Sequence, residues 1–209
     1  MKTEENTMRN RSHMPAALLL AACCALLSAC AGAPQRPTLY DLGPLPAHAR
    51  QALPALPPVA VAAVAAPPWL DSNRMFYRLN YDQPQQPLPY ANARWTMSPA
   101  QLLLQRIKAR IADAGGAPLA AAEGALNVPV LRLETDDFSQ VFDSREASRG
   151  QVSLRASVYR GRTLLAHKSF ARQVPAPSAD AGGGAAALAA ATDAVTGDLI
   201  AWLGTLPLK

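Results

Sequence analysis

Few residues in this 209-residue chain are equipped for nucleophilic, metal-binding or acid–base chemistry: three cysteines, three histidines and a handful of clustered carboxylates. Cys23 and Cys24 sit inside an apolar run, and Cys30 follows directly on Leu27-Ser28-Ala29. Small residues at 28 and 29 let an enzyme approach the backbone closely. His13 lies near the start, His48 in a Pro-rich stretch and His167 in a strand-like stretch, none with a Cys or His at ligand spacing. No metal site is therefore expected. The nucleophile elbow G-x-S-x-G, the zinc motif H-E-x-x-H and the phosphate loop G-x-x-x-x-G-K-[ST] are all absent. The expectation is a non-enzyme with no cofactor and no catalytic residue, whose energy, if it uses any, comes from another subunit. Asp136-Asp137 with Asp143 could form a carboxylate pair or a cation site. A solvated hairpin end is the expected reading, because Asp is mostly exposed.

The segment ahead of Cys30 explains that cysteine. Arg9 and Arg11 precede an apolar run from Pro15 to Leu27 (PAALLLAACCALL), and small residues close it. A basic start, a short apolar centre and a small-residue cleavage site make a secretory signal. The run is shorter than the roughly 20 apolar residues that span a bilayer. Leu27-Ser28-Ala29-Cys30 resembles the bacterial lipobox. That resemblance implies diacylglyceryl transfer to the Cys30 thiol, cleavage between Ala29 and Cys30, and acylation of the new amine. Each buried CH₂ adds about 0.8 kcal/mol, so three acyl chains anchor stably where one would not. Ala31 stands where Asp usually retains such lipoproteins at the inner membrane, which points to the outer membrane with the body in the periplasm. Met1, Met8 and Met14 are all possible starts; Met14 would discard the arginines, so Met8 is a better start than Met14.

With residues 1–29 as signal and 30–37 as lipidated N-terminus and tether, residues 38–209 remain for one domain with a sizeable core. The formal net charge of +5 falls by one on removal of the signal. The basic residues are spread rather than clustered, so nucleic acid is not an expected partner. The mature body has no further cysteine, hence no disulfide framework. Beyond the signal, no stretch reads as a membrane span.

Periodicity then places the elements. Thr38–Leu42 reads as a short strand and 43–58 as a Pro-rich extended connector, because proline removes ladder donors and blocks helix. Val59–Ala65 reads as a buried strand, Trp69–Asn73 as a turn, Arg74–Asn80 as an aromatic-rich strand, 82–89 as a loop and Tyr90–Trp95 as an edge strand. Ser98 and Pro99 open a helix whose apolar stripe is Ala100, Leu103, Leu104, Ile107, Ile111 and Ala114, ended by Gly115-Gly116. Arg106, Lys108 and Arg110 fall largely off the stripe and read as a solvated basic face. Leu126, Val128 and Val130 alternate, and Leu131 and Leu133 continue in shifted phase. After a polar turn at 144–150, Val152, Leu154, Ala156 and Val158 alternate with polar partners, giving a sheet with one buried face. Gly161-Arg162 turns the chain into Leu164–Val174. Pro175–Gly184 reads as a loop before an Ala-rich helix, Ala185–Leu203, striped by Leu188, Val195, Leu199 and Trp202. The fold expected is α/β: a single compact domain with a mixed β-sheet packed by two main helices, preceded by a lipoprotein signal peptide.

This order of pieces resembles the ABC-type transport auxiliary lipoproteins, the PqiC-like family. The matching features are the lipobox, TLYDLGP, the Pro-Trp-Leu-Asp turn, RMFYRLN, YANARW leading into SPAQLLLQRI, the strands around DFSQVF and QVSLRASVYRG, and a last helix ending in AWL. The likeness covers nearly the whole mature chain. It implies an accessory role beside an inner-membrane ABC transporter and an MCE-type periplasmic protein that move lipids or other apolar molecules between the membranes. The alternative is a structural envelope lipoprotein without transport; homo-oligomerisation is left open. A mixture of aromatic and Arg residues near loops is what interface anchors look like. The candidate partner site is therefore Trp69, Leu70, Asp71, Arg74, Tyr77, Arg78, Tyr90, Arg94 and Trp95, with Tyr77 and Trp95 equally readable as core.

Replacing Cys30 by Ala is expected to leave an unprocessed or soluble form, and Ala31→Asp to shift the protein toward the inner membrane. Acyl labelling and density-gradient fractionation check both. Label retained on Cys30→Ala, or an unmoved Ala31→Asp variant, contradicts the respective reading.

Overall fold

The clean alternation at 151–160 sits in the middle of three long strands. In a computed structural model, which describes residues 36–46, 56–120 and 128–208, β6 (Val130–Phe142), β7 (Ser148–Arg160) and β8 (Thr163–Pro175) pair antiparallel in succession. Gly161, at φ 59°, takes the left-handed conformation that the tight β7–β8 turn requires. The inward residues of β7, Val152, Leu154, Ala156 and Val158, are fully buried. The signal, Cys30, residues 31–35 of its tether, His48 and Leu126 lie outside the described residues.

On its other edge β6 is shared. β2 (Val59–Ala65) runs parallel to its first half, from Ala60 opposite Val130 to Ala65 opposite Glu134. β3 (Arg74–Leu79) runs parallel to its last residues, Tyr77 opposite Gln140. A short 3-10 turn, Pro68–Leu70, bridges the two. β4 (Leu88–Trp95) pairs antiparallel with β3, β1 (Thr38–Tyr40) adds in parallel outside β4, and β5 (Pro118–Ala120) adds in parallel outside β2. The result is one eight-stranded mixed sheet. The expected edge strand at 90–95 is thus an interior one. Thr38–Tyr40 covers it, a pairing between distant segments that local periodicity does not reveal.

Two helices cover the sheet. α1 (Pro99–Asp113) opens with Pro99 after Ser98, whose N–H donates to Gln101 Oε1 at 3.1 Å. Gly115 at φ 77° ends it. α2 (Ala181–Leu203) is capped by Asp180, which accepts from the Gly183 N–H at 2.7 Å. That bond, with the Ser178 hydroxyl, holds the Asp180 carboxyl below the usual carboxylate range. α2 lies on β7, β8 and β6, and α1 on β2 and β5, and the helices touch each other. α2 is long and apolar enough to cross a membrane by length and composition. Here Leu188, Val195 and Leu199 are instead fully buried against the sheet, so it is a core helix.

Two further expectations are corrected. First, 175–184 is not all loop: α2 starts at Ala181 and includes Gly182, Gly183 and Gly184. Glycine disfavours helix, but here the first turns press directly on the sheet. A Cβ at Gly184 would stand 1.9 Å from Gln140 Oε1, and one at Gly150 of β7 would stand 2.5 Å from the Leu188 backbone nitrogen. Second, Arg106 and Arg110 are 6% and 7% exposed rather than a solvated face. Arg106 Nε lies 3.3 Å from Asp193 of α2, and its Nη2 donates to the Leu42 carbonyl just after β1. α1 is covered on two flanks, so its buried surface is wider than one stripe. Leu102 joins it, while Leu104 is only partly buried. Early in β6 the shifted phase is the inward one: Leu131 and Leu133 are buried, while Val128 and Val130 are half-buried.

Gly150→Ala is expected to destabilise the fold by about 1–3 kcal/mol, because β7 and α2 must separate to admit the methyl. Urea unfolding measures it; an unchanged midpoint contradicts the close approach.

Candidate functional site

The nine residues singled out from sequence do not form one surface. Successive side chains of a strand point to opposite faces, and β3 divides the set. On one face the Trp69 ring meets Phe76 edge-on, centroids 5.3 Å apart, and the Arg78 guanidinium lies 5.3 Å from the Trp69 centroid. Arg78 also donates to the Pro84 and Gln85 carbonyls, each at 3.2 Å, fixing the loop before β4. Asp71 and Arg74 are exposed beside this stack. On the other face Tyr77 packs on Tyr90 at 4.7 Å and edge-on to Phe142 at 5.7 Å.

Leu70 and Trp95 belong to neither surface. Both are fully buried, and Trp95 packs edge-on to Phe138 at 5.4 Å. They are corrected from interface candidates to core: a strand flanked on both sides has no room for an exposed indole on its inward face. Arg94 turns back on its own strand and donates to the Tyr90 and Ala93 carbonyls. It fastens β4 rather than reaching outward.

The tyrosine face opens into a cleft of about 390 Å³ lined by Tyr77, Leu79, Tyr81, Tyr90, Phe142 and Arg145. The Tyr90 hydroxyl donates to Gln140 Oε1 at 2.8 Å, and Gln140 Nε2 donates to Ser148 Oγ at 2.8 Å. Burial, then the neighbouring Tyr77, pushes the Tyr90 hydroxyl well above the ordinary tyrosine range. It therefore stays a proton donor, and the relay fixes the cleft's inner wall. Tyr81, Phe142 and Arg145 were not legible as site residues. They come from two segments, the ends of β3 and β6, that only the β3–β6 pairing brings together, and a lone aromatic at the end of a strand carries no local signal.

The acidic cluster is consumed by partners. Asp136 takes both Arg155 Nε at 2.9 Å and Nη2 at 2.8 Å, and Glu134 takes the same guanidinium at 3.0 Å. Asp137 accepts from Ser139 and Gln151, and Asp143 from Arg149, which lowers its pKa. Among the described residues no group of three His, Cys, Asp or Glu is placed to hold a metal. A second groove, about 500 Å³ and open to solvent, lies between β8 and α2 over Phe170 and Trp202, whose rings meet at 5.7 Å.

Tyr90→Phe leaves the buried Gln140 oxygen without a donor, an expected cost of about 1–3 kcal/mol. The raised pKa makes a second expectation. Its stabilisation is complete below the unfolded tyrosine value of about 10 and is lost as pH rises above that value. Urea midpoints against pH should fall more steeply on the alkaline side for the native chain than for Tyr90→Phe; parallel profiles contradict it.

Comparison with known proteins follows the same outline. No curated protein matches the sequence. The fold is similar to that of protein XCC0632 from Xanthomonas campestris, a DUF330 structure, with 22% identity, a TM-score of 0.66, and 79% of this chain and 94% of that one covered. It is also similar to a structure described only as an uncharacterized protein, at 15% identity and TM-score 0.61 over 79% and 97%. The hypothetical protein CT253 of Chlamydia trachomatis shares 8% identity at TM-score 0.50, over 73% and 98% of the two chains. These likenesses concern fold. The sequence itself matches the family model of the ABC-type transport auxiliary lipoprotein component over residues 40–200. That span runs from β1 to the last turn of α2, and the chain belongs to the ABC-type transport auxiliary lipoprotein family.

Proposed function

We propose that this protein is a periplasmic lipoprotein, anchored in the outer membrane through Cys30, that serves as accessory subunit of an ABC/MCE-type system. That system moves lipids or other apolar molecules between the envelope membranes. Family membership over residues 40–200 carries the reading. The lipobox and the Ala31 sorting position support the proposed compartment. The domain's part is docking, not catalysis: it holds the end of a conduit against the membrane. Packing supports this. Native cores leave few voids larger than a water, and the clefts at Tyr77–Tyr90 and Phe170–Trp202 are open at the surface rather than enclosed. Cargo then passes through the partner, or between copies of this chain.

The Trp69–Arg78 stack with exposed Arg74 is the partner surface that fits best, since stacked aromatic and Arg side chains make interface anchors. Affinity purification of the tagged, lipidated chain from its host membranes is expected to retain an MCE-type protein and ABC subunits. Trp69→Ala and Arg74→Ala should each reduce that retention several-fold, with Arg74→Ala leaving the melting temperature unchanged. Retention of cell-wall components alone favours the structural envelope reading. Retention undiminished in Arg74→Ala and Trp69→Ala removes this face as the docking surface.

A further inference from the structure

The domain has two chemically different ends, and the strand directions decide from which of them the chain enters β1. The tyrosine cleft opens at one end of the sheet, where the C-terminal ends of β3 and β6 meet the start of β4: Tyr77 stands opposite both Leu88 and Gln140. The β7–β8 turn at Gly161 lies at the other end, beside the start of β6, with Tyr159 opposite Val130. From Gln140 back to Val130 is ten residue steps of β6, about 33 Å.

β1 runs parallel to β4, with Thr38 opposite Ala93 and Tyr40 opposite Trp95. The chain leading into Thr38 therefore arrives from the direction of Leu88, the cleft end. Ala93 is five residue steps from Leu88, about 17 Å. Residues 31–37, the leash after Cys30, span at most about 25 Å when fully extended. A leash of that length leaving toward the cleft end is long enough to let that end touch the bilayer. To seat the opposite end there, it has to double back over the domain.

The cleft end has the chemistry of a membrane–water interface. Tyr77, Tyr81 and Tyr90 gather there with Leu79 and Phe142, and Tyr81 is 48% exposed. Tyrosine suits the headgroup layer because its ring is apolar and its hydroxyl is wet. Arg145, exposed on the rim, has no hydrogen-bond or ion-pair partner among the described residues, so it is available to a lipid phosphate. The other charges at this end are mostly acidic. Asp143 is held by Arg149, Asp180 caps α2, and Asp82 and Glu146 are exposed. An acidic excess repels a strongly anionic surface, so the surface that fits is a zwitterionic phospholipid one. The far end differs. It carries Arg160 and Arg162, Arg132 over the Tyr159 ring at 4.8 Å, and exposed Leu164 and Leu165, with no carboxylate from 157 to 168.

We infer that the tyrosine cleft is a phospholipid-contact site: Tyr77, Tyr81 and Arg145 seat this end of the domain in the headgroup layer of the membrane that holds its anchor, which turns the Arg160–Leu165 end outward. The inference rests on the Cys30 anchor proposed above. Since Cys30 is lipidated and Cys23 and Cys24 leave with the signal, an introduced cysteine is the sole free thiol of the mature chain.

Full-length chains carrying Tyr81→Cys, Arg145→Cys or Arg162→Cys are expressed, lipidated and labelled with an environment-sensitive fluorophore. They are then reconstituted in phosphatidylethanolamine/phosphatidylcholine vesicles with a spin-labelled headgroup. Flotation comes first: protein that does not float with the vesicles removes the anchor reading and this inference with it. In floating protein, probes at 81 and 145 are expected to shift to the blue and to be quenched at least about twofold more than the probe at 162. The reverse order, or three probes alike in an aqueous environment, overturns the contact while leaving the anchor intact. Arg145 serves as second reporter should Tyr81→Cys disturb the cleft.

Discussion

The whole architecture hangs on one strand being hydrogen-bonded along both edges. β6 is 13 residues long and gives one full edge to β7. It splits the other between β2 at its start and β3 at its end. Such a strand is paired on both edges at its start and at its end, so its partners cannot slide without losing ladder bonds. Its buried side chains, Leu131, Leu133 and Phe138, then fix where helices sit. The split also explains why a 3-10 turn, Pro68–Leu70, has to lie between β2 and β3: two strands bound for the same edge need a short bridge across it.

Close approach between layers is the second constraint. The glycines at 150 and 184 let α2 rest on β7 and on Gln140 with no side chain between. Gln140, fully buried, is tolerable in that contact only because Tyr90 and Ser148 satisfy its amide. Arg106 plays a related role on the other flank. Its guanidinium is buried between Asp193 and the Leu42 carbonyl, tying α1 to α2 and to the chain that leaves β1. A buried pair of this kind adds little net stability over an apolar substitute but is costly to break on one side. It fixes which surfaces meet, and here it fixes the chain that leaves the first strand.

These constraints shape the functional face as well. An outer-membrane accessory domain of the kind proposed has to hold two things apart, the bilayer and a protein conduit. A rigid sheet with unlike ends suits that task, and a catalytic pocket is not needed for it. The Trp69–Arg78 stack and the tyrosine cleft lie on opposite faces of β3. One strand thus presents two surfaces whose chemistry differs.

Sequence alone determined what depends on local pattern. Val59–Ala65 was legible to the residue, as was the burial of Val152, Leu154, Ala156 and Val158. The start of α1 at Pro99 and the turn at Gly161 were equally plain, since caps, prolines and period-two alternation act over a few residues. The order of motifs was enough to point to the family. Only the tertiary structure decided the rest, because it depends on contacts between segments far apart in the chain. Glycines 182–184 became helix where packing against Gln140 outweighed propensity. Arg106 and Arg110 went inward because α2 and the chain after β1 close over α1. Trp95 joined the core because Thr38–Tyr40 pairs beyond it. The candidate site divided in two because alternation along β3 sends Tyr77 and Arg78 to opposite sides, and the register that matters there, Tyr77 beside Gln140, is set by a partner more than sixty residues away.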